Sequence, residues 1–333
     1  MSSLVTKAIG VNASRLHTIG QGACGTVWAV SERGPVFNRE DGGPGRLLRN
    51  EIEMHHRIIQ SFLKFKEARQ DRLRINVSTP YKFIKATDQN WWVINRQLFP
   101  PGYTPCNMIC SERIPPFSQT IRQVFITNYR PSKVAPTIIN SEPDKDCLIR
   151  LYLGRRRTQK PHSTSRFTAF SLGNFPLHLD QLESLGTTKG ELHKYAITMA
   201  ETLAVILWIA KVDGNDIGFV LAPSSQSENK TGSCVLETES HPLVKHSMWV
   251  LDFDLCRVMT MDVRGVEQCV AAFWRNDPHY PRPNTNHELW AIFREHYIRT
   301  SDACTTVCEQ NEGEKRRVLS RHFIYLLEHG GEM

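Results

Sequence analysis

A chain of 333 residues, 40% of them hydrophobic, is long and apolar enough to bury a full core, which excludes a disordered chain. Its 41 Lys+Arg against 34 Asp+Glu leave a net charge of +7, a mild basic excess that favours acidic partners through long-range steering. Nine cysteines, an odd number scattered over the whole chain, suit reduced thiols and argue against a disulfide framework.

The opening MSSLVTKAIGVNASRL lacks the apolar core of a signal peptide, and no run approaches the ~18 apolar residues of a membrane span. A cytoplasmic protein that engages no membrane is expected, with the sequons at Asn12, Asn76 and Asn229 unglycosylated. Cys106-x-x-x-Cys110 and Cys304-x-x-x-Cys308 are the close cysteine pairs, and neither has a second half at finger or ribbon spacing. No metal site is expected.

In chain order, TIGQGACGTVWAV (18–30) reads as a glycine-rich turn leading into a strand, with Gly20, Gly22 and Gly25 at the spacing that covers phosphates in protein kinases. RLLRNEIEMHHRIIQSFLKF (46–65) is a helix with Leu47, Ile52, Ile58, Ile59 and Leu63 on one stripe. YKFIKAT and WWVINRQLF read as strands, and MICSERIPPF as a short strand ended by a double proline where a hinge would fall. Thereafter the pattern is helical. PDKDCLIRLYLGRRR and FPLHLDQLESLG are short amphipathic segments, and KGELHKYAITMAETLAVILWIAK is the longest helix candidate. DIGFVLAP is a buried strand, SSQSENKTGS (224–233) a surface loop, and HSMWVLDFDLCRVM a second buried strand. Three amphipathic helices complete the chain: VEQCVAAFWRN, ELWAIFREHYIRT and EGEKRRVLSRHFIYLLEH.

Strands first and helices after, with the glycine turn near the start, predict an α+β fold of two lobes, protein-kinase-like. A small β-rich lobe spans 1–110 and a larger, mainly helical one 111–333. The chemistry of a kinase is not complete. Phosphoryl transfer needs a lysine on the third strand paired with a helix glutamate, a catalytic aspartate, and an asparagine and second aspartate for magnesium. The lysine position falls on Asn38 or Arg39. The glutamate is available as Glu51 or Glu53, and Glu53 is the one expected to bind substrate. In KVDGNDIGFVLAP, Asp213 and Asp216 stand near the base position, while Phe219 occupies the place of the asparagine. In VLDFDLC, Asp252 and Asp254 sit at i and i+2, which on a strand share a face, so they could share a metal, a proton or a cationic ligand. The bland alternative is a buried aspartate satisfied by backbone amides.

The stretches NREDGGPGRLLRN, DCLIRLYLGRRR, NFPLHLDQLESLG, VDGNDIGFVLAP and WVLDFDLCRVMTMDVRGVEQCVAAFWRNDPHYPRP together resemble a fungal family labelled zinc-finger-like, from about residue 15 to 300. The resemblance implies an arginine-containing cyclodipeptide synthase of secondary metabolism. Such enzymes use aminoacyl-tRNAs, here arginyl-tRNA and a second one, and release a cyclo-Arg-Xaa diketopiperazine. An aminoacyl ester is already activated, so neither ATP, a cofactor nor DNA is expected. On this reading Asp213, Asp216, Asp252 and Asp254 carry catalysis and pair with the guanidinium. Gly20, Gly22, Gly25, Arg39 and Glu53 bind substrate. Arg155, Arg156, Arg157 and Lys160 in LGRRRTQKPH meet tRNA phosphates, unless they form an ordinary solvated basic turn. Cys256 is a possible nucleophile but more in keeping with an inert buried thiol. His55 and His56 read as surface histidines, and Trp91 and Trp92 as divided between core and surface.

Overall fold

The computed structural model of the protein describes residues 15–22, 25–30, 34–43, 47–70, 73–129, 138–139, 141, 144–157, 172–224, 236–237, 243, 245–307 and 310–330. It is a mixed α+β structure. The first part contains β1 (His17–Gln21), β2 (Thr26–Ala29), β3 (Val36–Arg39), helix α1 (Leu48–Arg69), β4 (Asn76–Val77), β5 (Pro80–Ile84), α2 (Gln89–Asn95) and β6 (Met108–Ser111). After α3 (Gln119–Tyr129) come β7 (Ile149–Tyr152), β8 (Phe175–His178), α4 (Leu179–Ser184), α5 (Lys189–Val205), β9 (Gly218–Pro223), β10 (Leu236–Glu237) and β11 (Lys245–Leu251). Helices α6 (Val263–Arg275), α7 (His287–Thr305) and α8 (Gln310–His329) follow.

Five strands form an antiparallel sheet in the order β1-β2-β3-β6-β5. Strand alternation divides its residues cleanly. Phe37, Met108 and Cys110 enter a small core with Trp28, Trp91, Trp92 and Phe99. Val27, Val36, Asn38, Ile109 and Ser111 face the other way, towards a cavity. The second sheet runs β10-β11-β9-β7-β8, with β4 added beside β11. It packs in the main core with α1, α5, α7 and α8, around Phe219, Phe253, Phe293 and Tyr297.

Several predicted elements differ. WWVINRQLF is not a strand: Asp88 caps Trp91 N at 3.1 Å and starts α2, so both tryptophans turn into the small core. DCLIRLYL and FPLH are strands β7 and β8, so the second part carries a mixed sheet beside its helices. A boundary at residue 110 would cut β6, and β4 from the first part pairs with β11 of the second. The buried face of α1 is Leu48, Met54, His55, Ile58, Ser61 and Phe65, a stripe rotated from the predicted one, and Leu47 and Leu63 are exposed. The segment 225–233, predicted as a surface loop, lies outside the described residues.

Helix α5 begins at a capping box, Thr188 with Glu191, and runs on through a π-helical turn, Ile206–Ala210. Lys211 ends it in the left-handed conformation, with φ 55°. The stretch Lys189–Ala210 is apolar and long enough to cross a membrane, and 72% of its most apolar window is buried inside the protein. Its strongest packing partner is α7.

Candidate functional site

A cavity of about 730 Å³ opens between the two sheets. The glycine hairpin lies on one side, with Thr18, Gly20, Gly22, Gly25 and Val27. Asp216, Asp252 and Asp254 lie on the other, so Gly22 and Asp252 share one cavity. An apolar end is lined by Val36, Ile109, Ile114 and Leu148.

The hairpin is held from behind. Gly22 and Gly25 exchange backbone hydrogen bonds across the turn, 2.8 and 3.3 Å. Asp41 accepts from Thr26 N at 2.7 Å and from Thr26 Oγ1, and its other oxygen accepts from Arg39 Nε at 3.1 Å. Gly25 has φ 146°, and a Cβ there would lie 2.0 Å from the Arg39 carbonyl oxygen. At Gly22 a Cβ would meet nothing within 4 Å. Gly25→Ala should therefore destabilise the protein by about 2 kcal/mol in a thermal melt, while Gly22→Ala leaves the melting temperature unchanged within a degree or two.

This clamp corrects the role expected of Arg39. Its side chain is 2% exposed and points away from the cavity, with Nη2 donating to Thr104 O at 2.9 Å. Its guanidinium stacks over Phe99 and Tyr103, 4.8 and 5.0 Å from the ring centroids. Alternation along β3 puts the neighbouring Asn38 in the cavity instead.

The acidic floor is built from three places. Strand β11 ends at Leu251, so the same-face rule for strands does not apply, yet Asp252 and Asp254 both line the cavity. Asp252 has φ 66° and Asp216 φ 65°, left-handed values rare for residues with a side chain. Together with Asn174, they are three cavity residues among the five described non-glycine residues with positive φ. Backbone strain of this kind persists where surroundings over-determine it, and it clusters at functional sites. Asn276 supplies the constraint at Asp216: its Oδ1 accepts from Asp216 N at 2.6 Å, and its Nδ2 donates to Gly214 O at 2.8 Å.

Arg150 on β7 supplies it at Asp252. One guanidinium nitrogen donates to Asp252 Oδ2 at 2.7 Å, the other to Asp277 Oδ2 at 3.3 Å. Desolvation in the cavity raises the Asp252 pKa, and Arg150 partly offsets it. Gly218 leaves room for this pair, because a Cβ there would stand 3.3 Å from Asp252 Oδ2. Among the described lining residues, Glu51, Glu112, Asp146, Asp216, Asp252 and Asp254 outnumber Arg113 and Arg150. Arg113 pairs with Asp146 and Arg150 with Asp252, so each of the two guanidinium groups is already engaged by a carboxylate of this wall.

Helix α1 contributes the remaining wall. Leu48 N at its start donates to Glu40 Oε2, a cap supplied from the preceding loop. Asn50 Nδ2 donates to the carbonyls of Asp254 and Cys256, 2.7 and 2.9 Å, and so ties the first turn to the acidic segment. This places Glu51 in the cavity, where Asn38 Nδ2 donates to its Oε2 at 3.1 Å. Desolvation, then Asp252 and Asp254, push the Glu51 carboxyl up to about 8. Glu53, the predicted residue, is exposed and does not line the cavity: residues two apart on a helix point to different faces. His55 is not a surface residue either. It is buried against Phe253, 4.8 Å between ring centroids, and burial pushes its imidazole down to about 4, so it is neutral at pH 7.

Other predicted residues lie elsewhere. Asp213 is buried and outside the cavity lining, accepting from Asn215 N, Arg257 N and Gln268 Nε2 at 3.1, 2.9 and 2.8 Å. Phe219 is buried against His279 and Tyr280. Cys256 is buried, burial and nearby carboxylates push its thiol well up, and it donates weakly to Asn215 O. Arg155, Arg156 and Arg157 are exposed at the end of the segment after β7. Arg156 forms a two-pronged pair with Glu183 at 2.6 Å, and Lys160 lies outside the described residues. The sequence marks Asn38 by its place where a kinase lysine would stand, and no local signal marks Asn50.

A sequence-family model described as a zinc finger protein matches residues 248–309. That span includes the acidic segment, α6 and α7. Cys256, Cys269 and Cys304 within it are buried free thiols. Among the described residues no three His, Cys, Asp or Glu side chains are grouped so as to hold a metal ion. No curated protein matches the chain. The solved structure of a microcompartment-associated aminopropanol kinase aligns at 13% identity over 98% of this chain and 97% of that one, with a TM-score of 0.23. That likeness is too slight to carry an argument.

Proposed function

We propose that the protein is an aminoacyl-tRNA-dependent enzyme on a two-lobed, kinase-like scaffold, which joins an arginyl group to a second aminoacyl group as a cyclo-Arg-Xaa diketopiperazine. The observation that carries this reading is the acidic cavity: carboxylates in excess, with Asn38 where phosphoryl transfer would need a lysine. A guanidinium binds carboxylates by charge-assisted, often two-pronged hydrogen bonds, and this floor offers them on the wall facing the glycine hairpin. The strand order β1-β2-β3-β6-β5, with α1 packed against β5 and β6, supports the kinase-like reading of the first part. The ester bond of aminoacyl-tRNA carries the driving force, so no phosphate donor is required. Expression in a microbial host should yield arginine-containing diketopiperazines detectable by mass spectrometry and absent from the empty-vector strain.

The rival reading is a phosphotransferase, favoured by the placement of Asp252 in the same cavity as the glycine hairpin. Magnesium-dependent transfer of the ATP γ-phosphate, abolished by Asp252→Asn, would put it first. The lack of a lysine on β3 argues against it, because catalysis of this class is mostly positioning of phosphates.

A further inference from the structure

We propose that Glu51 is the general base of this site, its carboxylate taking the proton from the α-ammonium of the attacking aminoacyl group. The inference rests on the aminoacyl-tRNA reading and adds to it the residue that makes the nucleophile.

Position is the first argument. Asn50 fixes the first turn of α1 on the Asp254 and Cys256 carbonyls, so Glu51 cannot drift from the acidic wall. One carboxylate oxygen is held by Asn38 Nδ2 at 3.1 Å, which orients the group and leaves the other oxygen for a ligand in the cavity. Partnership is the second. Asp252 is paired with Arg150 and Asp213 is saturated by donors, whereas Glu51 has no ion pair among the described residues. A lysine in place of Asn38 would clamp Glu51 as an ion pair and quench its basicity. The amide orients it without doing so.

Its surroundings tune it. Asp252 and Asp254 face it from the segment after β11, and Asn38 comes from β3. Asp216 lies in the loop before β9, Arg150 on β7 and the neutral His55 one turn along α1, all in the same cavity. Negative neighbours and desolvation raise its proton affinity well above that of an ordinary glutamate, towards the value a base working near neutral pH needs.

The step balances. Glu51 takes one proton from the ammonium, and the freed lone pair attacks the ester carbonyl carbon of the other aminoacyl group. A C–N bond forms and the C–O bond to the ribose breaks. The departing ribose oxygen receives the proton back from Glu51, and the second ammonium proton leaves to solvent. Repetition with the other amine closes the ring.

The test uses the full chain with preformed arginyl-tRNA and a partner aminoacyl-tRNA, assayed from pH 6 to 9. Glu51→Gln should lower kcat by about a hundredfold or more, the scale of general-base catalysis, with KM for arginyl-tRNA changed less than threefold. The wild-type inflection near pH 8 should disappear. Formate should partly restore Glu51→Ala, which a structural role would not allow. Thermal melts provide a readout independent of activity. A carboxyl whose folded pKa is raised costs the fold stability as pH climbs from the ordinary 4.5 to about 8, so Glu51→Gln should melt progressively higher than wild type across that window. A folded Glu51→Gln with wild-type rate and pH profile overturns the proposal and leaves the cyclodipeptide reading standing. A wild-type protein that makes no product from charged tRNA overturns both.

Discussion

Asp252→Asn and Asp254→Asn should each reduce product formation tenfold to a hundredfold while the protein stays folded. Charge-assisted hydrogen bonds to a guanidinium are worth ~1.5–3 kcal/mol each, and ~1.4 kcal/mol is one decade. The substitution is chosen for the backbone as well as the charge. Asp252 holds φ 66°, and asparagine is among the few residues that tolerate it, so the variant removes the charge and spares the turn. Arg150 keeps Asp277 as a partner when Asp252 is neutralised, which limits the damage to the fold. Activity at wild-type level in both folded variants would make these aspartates architectural and move the arginine site elsewhere.

Product formation should fall to background after ribonuclease treatment, and free arginine with ATP should not restore it. Free amino acids are not activated, and the chain shows no adenylating motif to couple ATP cleavage to a peptide bond. Phosphate contacts should appear in the salt dependence of binding. Arg155 and Arg157 are the better probes: both are exposed, whereas Arg156 is already engaged by Glu183. The double substitution Arg155→Glu, Arg157→Glu should weaken tRNA binding and flatten the slope of log K against log salt by about one to two units. Robust synthesis in the presence of ribonuclease would refute the tRNA route.

What could be read in advance followed from local pattern. The glycine hairpin, the core strands β9 and β11 and the long helices are written in periodicity and turn residues. The aspartates of LDFD were visible because they fall where a kinase-like chain carries its metal-binding aspartate, two residues apart. Some of the differences carry a local signal. IRLY alternates with a period of two, and β7 indeed sends Ile149 and Leu151 into the core and Arg150 into the cavity. TDQNWW carries its own N-cap in Asp88. Others do not. Choosing Asn38 over Arg39, or Glu51 over Glu53, requires knowing which face of a strand or helix meets the cavity, and a shift of one or two residues reverses the answer. The bond from Asn50 to the Asp254 and Cys256 carbonyls spans more than 200 residues of chain, so no window of sequence contains it.

The forked contact of Arg150 has a kinetic consequence. Asp252 and Asp277 flank the guanidinium, and Tyr152 Oη also donates to Asp277 at 2.5 Å. On the proposed reading, an arginyl side chain that takes over Asp252 need not strand Arg150 in a confined space, because a second counter-ion already touches it. Arg150 would then rest on Asp277 while the ligand holds Asp252, and it would return to Asp252 when the ligand leaves. If the proposed synthesis takes place here, a site organised this way would bind a charged side chain firmly and still release it at a useful rate.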